Sequence, residues 1–91
     1  MPTITHIDLP AKHVPSAYLF ILRVYARTPQ GTCVSECGCS EAPDDIEALL
    51  DVVLDARKHI YDVIISYRTE DTDNPLLVDF IDRISSLTFN T

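Results

Sequence analysis

Apolar and polar residues alternate most clearly between Ala17 and Arg27. Tyr18, Phe20, Leu22, Val24 and Ala26 fall on one side, all apolar, and Leu19, Ile21, Arg23, Tyr25 and Arg27 on the other. A period of two predicts a β-strand with one face in the core. Thr28-Pro29-Gln30-Gly31 has the proline and glycine of a turn. Thr32 to Cys37 then returns as the second arm of a hairpin, until Gly38 and Ser40 break it. Before this hairpin, Thr3 to Leu9 reads as a short strand. Pro10 and Pro15 bracket a connection over Ala11 to Ser16, because proline fixes φ and removes a ladder donor.

After Ala42 the period changes. Ile46, Leu49, Leu50, Val53, Leu54 and Ile60 recur at helical steps behind Pro43, Asp44 and Asp45, which suit a first turn. Arg57, Lys58 and His59 stand at the far end, where cations meet the negative pole of the helix dipole. The pattern predicts a helix over 44–60. Tyr61 to Arg68 is a short, dense apolar run, read as a buried strand. Thr69 to Asn74 is an acidic turn, and Pro75 opens a second helix with Leu76, Leu77, Phe80, Ile81 and Ile84 on one stripe. Leu87 to Thr91 either docks through Phe89 or frays. The order β-β-β-α-β-α predicts an α+β fold, a small antiparallel sheet covered on one face by two helices, in a single domain over 1–91.

The chain has 91 residues, 46% of them hydrophobic and 23% charged, an ordinary globular balance that argues against wholesale disorder. A domain this small has one core and little material for an enclosed cleft. No apolar run nears the ~20 residues that cross a bilayer, and the start lacks a basic-then-apolar leader. Cytoplasmic use without a membrane is expected. The net charge is −7, unevenly placed. Residues 41–91 carry twelve acids against Arg57, Lys58, Arg68 and Arg83, whereas residues 1–40 are nearly neutral. Such a surface repels nucleic acid and attracts basic proteins.

Cys33, Cys37 and Cys39 fall within seven residues. As a strand they share a parity, and three close thiolates suit zinc. A fourth ligand would have to come from His6, His13 or His59, and no Cys-x2-Cys knuckle is present. Packing as small apolar residues behind the hairpin is the favoured reading, with the thiols reduced. Neither a base placed beside a thiol nor a glycine-rich phosphate loop is visible, with only Gly31 and Gly38 in the chain. No catalytic residue, metal or cofactor is assigned. His59 reads as a helix-terminal cation and His6 as a half-buried strand residue.

Two features suit a partner. Asp44, Glu47, Asp51 and Asp55 step by 3, 4 and 4 along one side of the first helix, roughly 5–6 Å apart. Phosphates along a nucleic-acid strand recur at comparable distances, so the row could imitate them to a basic groove. Glu70, Asp71, Asp73, Asp79 and Asp82 could extend it. The bland alternative is a solvated helix face. Arg23, Tyr25 and Arg27 share one strand face and could clamp a phosphate backbone or stack a base, or simply pair with nearby acids.

In size, charge and architecture, with the acid rows Asp44 to Asp55 and Glu70 to Asp82, the chain resembles phage-encoded anti-defence inhibitors of the anti-CRISPR type. That resemblance implies a stoichiometric inhibitor occupying a basic, nucleic-acid-handling surface of a host protein or ribonucleoprotein complex. Direct nucleic-acid contact through Arg23 and Arg27 is the less favoured mode. The alternatives are a small metal-binding or redox protein using Cys33, Cys37 and Cys39, and a homo-oligomeric accessory subunit joined through a sheet edge or face.

Overall fold

In a computed structural model, which describes residues 3–86, four strands form one sheet in the order β1-β4-β2-β3. They are β1 (Ile4–Leu9), β2 (Phe20–Tyr25), β3 (Cys33–Cys39) and β4 (Asp62–Arg68). Helices α1 (Pro43–Lys58) and α2 (Pro75–Ser85) complete the α+β fold and pack on one face of the sheet. Leu87 to Thr91, with the expected anchor Phe89, lie outside the described residues.

The even positions of β2 make the centre of the core. Phe20, Leu22 and Val24 sit opposite Tyr67, Ile65 and Val63 of β4 and opposite Cys39, Cys37 and Ser35 of β3. Ile46, Leu49, Val53 and Ala56 of α1, with Leu77, Phe80 and Ile84 of α2, close over them. Phe20 and Phe80 meet with ring centroids 4.8 Å apart. Each fully buried Val, Leu, Ile or Phe among them stabilises the fold by about 1.5–3 kcal/mol.

One strand pairing departs from the expected antiparallel sheet. β1 runs parallel to β4, Ile4 opposite Val63 and Leu9 opposite Arg68, so the sheet is mixed. The parallel pair follows from topology: β4 returns by way of α1 and inserts between β1 and β2. The 10–19 connection lies across the opposite face. Arg68 donates to the carbonyls of Val14 and Pro15, and Val14 is buried. Tyr18 lies over Gly38, where a Cβ would come within 2.7 Å of the ring. Tyr18 therefore leaves the strand face assigned to it by alternation.

Candidate functional site

The acidic row begins at a firmly built helix start. Pro43 occupies the first turn, where its missing N–H costs nothing. Asp45 reaches back to accept from the backbone N–H and the hydroxyl of Ser40, tying the end of β3 to α1. With Ile46, Leu49, Val53 and Ala56 turned into the core, Asp44, Glu47, Asp51 and Asp55 are all exposed on the outer side. The structure thus brings the four predicted acids to one solvent face. They are not equally free. Arg83 of α2 donates to Glu47 at 2.8 Å and meets Asp79 at 3.1 Å. Asp55 lies 3.6 Å from His59, whose ring stacks on Tyr61. Asp44 and Asp51 form no ion pair among the described residues.

The far end of α1 differs from the expected stripe. The helix stops at Lys58, and Ile60 turns to φ 61° with 56% of its surface exposed. Ile60 is a terminating residue in the left-handed region, a place that favours glycine.

A groove runs between α1 and the edge strand β3. Val24, Val34, Ser35, Val52, Ala56 and Tyr61 line it, with Asp51 and Asp55 on its rim, and its volume is about 370 Å³. It lies beside a register shift between β2 and β3 at Val24/Tyr25. The bulge brings Val34 into the wall on the helix side, and Cys33 falls opposite Tyr25 on the other face. Sequence reasoning gave Val34 no role and did not find the groove. The adjacent Cys33 and Val34, both apolar in an alternating run, were the available sign.

The same bulge divides the cysteines. Cys37 and Cys39 share the helix-covered face and Cys33 does not, so the common parity read from the spacing does not hold. All three are free thiols, exposed at Cys33 and buried at Cys39. Burial pushes the Cys39 thiol from 9.0 up to about 11, and the Asp45 carboxylate adds to the rise. Among the described residues no group of three His, Cys, Asp or Glu side chains is placed to hold a metal ion. His6 is exposed rather than half-buried, on the edge strand β1.

Arg23, Tyr25 and Arg27 do share the sheet face away from the helices, each beside an acid. Arg23 donates to Glu36 at 2.9 Å and to the Ser66 hydroxyl at 3.4 Å. Arg27 donates to Asp62 at 3.2 Å. Tyr25 and Arg27 border a shallow depression with Thr3, Thr5, Asp62 and Ile64. The partners are thus sheet acids, not the helical rows. In the second acidic cluster Asp71 is committed to Arg68 at 2.6 Å, whereas Glu70 and Asp73 are exposed.

Protein-family models, curated proteins and solved structures yield no match to this chain. The functional reading rests on its own geometry. No helix among the described residues is long and apolar enough to cross a membrane.

Proposed function

We propose that this chain is a non-catalytic inhibitor or interaction protein of the anti-CRISPR type. It docks the outer face of α1 on a basic, nucleic-acid-handling surface of a cytoplasmic protein or ribonucleoprotein complex and blocks that surface. One observation carries the reading: Glu47, Asp51 and Asp55 follow one another at i,i+4 on an exposed helix face. Like charges at that spacing oppose each other and weaken a helix. Asp55 also sits near the C-terminal end of the helix, where the dipole disfavours an anion. A face serving only solubility gains more from mixed signs, so the row is costly to the fold and useful to a basic partner.

Nucleic-acid contact by Arg23 and Arg27 is the weaker mode, since Glu36 and Asp62 already neutralise both guanidiniums. A pull-down from nuclease-treated lysate tests the proposal, with the wild-type chain and an Asp51→Lys/Asp55→Lys variant as baits. The expected result is a protein partner kept by the first and lost by the second. An identical set of captured proteins from both baits removes the acidic face from the account.

A further inference from the structure

β3 is an edge strand: in the order β1-β4-β2-β3 its outer side pairs with no strand among the described residues. Edges of this kind are usually blunted by proline, lysine, inward charges or a covering segment. Over Ser35–Cys39 β3 has no proline and no lysine, and its single charge, Glu36, is on the face away from the helices, held by Arg23. The bulge is confined to the Val34 end, so the rest of the strand keeps regular register with β2. Beside this edge lies the apolar groove under α1, rimmed by Asp51 and Asp55.

We infer that β3 accepts an extended segment of the partner as a fifth strand, whose helix-side positions, every second residue, carry both apolar and basic side chains. Main-chain hydrogen bonds to an exposed edge supply affinity in such pairings, and pockets for alternate side chains supply selectivity. A strand added about 4.8 Å outside β3 directs every second side chain toward the helix-covered side. There an apolar group enters the space between Val34, Val52 and Tyr61, and a lysine or arginine two residues along, on the same face, meets Asp51 and Asp55. Pairing with the β3 of a second copy is disfavoured, because it would bring two such acidic rims to one seam. The inference rests on the reading of α1 as a docking face and specifies the form of what docks beside it.

A fluorescein-labelled hexapeptide with valine or phenylalanine and lysine at successive every-second positions, and threonine between them, is the probe, read by anisotropy and by amide exchange of the intact chain. Binding is expected to slow exchange of alternate amides in Ser35–Cys39. N-methylation of one alternate set of peptide nitrogens should abolish it, and methylation of the other set should leave it intact. Asp51→Lys/Asp55→Lys should weaken it by about tenfold. No binding at about 1 mM, or binding indifferent to N-methylation, overturns strand addition. Protection of the same amides by self-association, without peptide binding, assigns the edge to a second copy and overturns it as well. In either case the docking reading is decided separately, by whether the complex captured from lysate depends on Asp51 and Asp55.

Discussion

At Ile60 the backbone takes φ 61°, a conformation that costs a β-branched residue about 1–2 kcal/mol. The side chain recovers little, being among the more exposed large hydrophobics of the molecule. Ile60→Gly should therefore raise stability by about 0.5–1 kcal/mol after glycine's own chain entropy is counted. Urea denaturation checks this, and a loss of stability would mean that Ile60 packs more than its exposure indicates. The cysteines make a second residue-scale case. A thiol reagent at pH 8 should label Cys33 at once and Cys39 only as fast as the chain opens, because burial holds Cys39 protonated up to about 11. The sign of the pH effect follows. Below pH 9 the thiol is protonated in both states and adds no pH dependence. As pH rises from 9 toward 11 the unfolded chain ionises first, so stability falls. Equal labelling of Cys33 and Cys39 would contradict the buried placement.

Among the elements, α1 carries the sharpest trade-off. Asp51→Lys would replace two like-charge contacts with two opposite-charge contacts, to Glu47 and Asp55, each worth about 0.2–0.5 kcal/mol. A rise in Tm of a few degrees is expected, and a fall would show that Asp51 serves the fold itself. The alternation of Phe20, Leu22 and Val24 and the stripe of Ile46, Leu49 and Val53 made β2 and α1 legible, because burial on one face imposes a period. The parallel pairing of β1 with β4 was not legible, since strand adjacency is a long-range choice that leaves no local pattern. Nor was the bulge at Val34, which shifts phase by one residue and moves Cys33 to the other face. Arg23 and Arg27 could be placed on one face from spacing, but their partners Glu36 and Asp62 come from strands whose order spacing does not specify.

For the whole molecule, one core supports everything described. Phe80→Ala would empty the contact with Phe20 and cost about 3–5 kcal/mol, a large share of the ~5–15 kcal/mol available to a domain. Loss of cooperative unfolding or a large fall in denaturation midpoint is the expected result, and a change under 1 kcal/mol would contradict the packing. That core holds α1 so that its outer side faces solvent. The sheet-side arginines are balanced by Glu36, Asp62 and Asp71, which leaves the acidity concentrated on the helices and the turn before α2. The most direct test is the affinity of the captured partner for the wild-type chain and for Asp51→Lys/Asp55→Lys, measured at low and high salt. The acidic-face account predicts about tenfold weaker binding of the variant at low salt and a flatter salt dependence. Unchanged affinity and an unchanged salt slope, with the variant still folded, would contradict it.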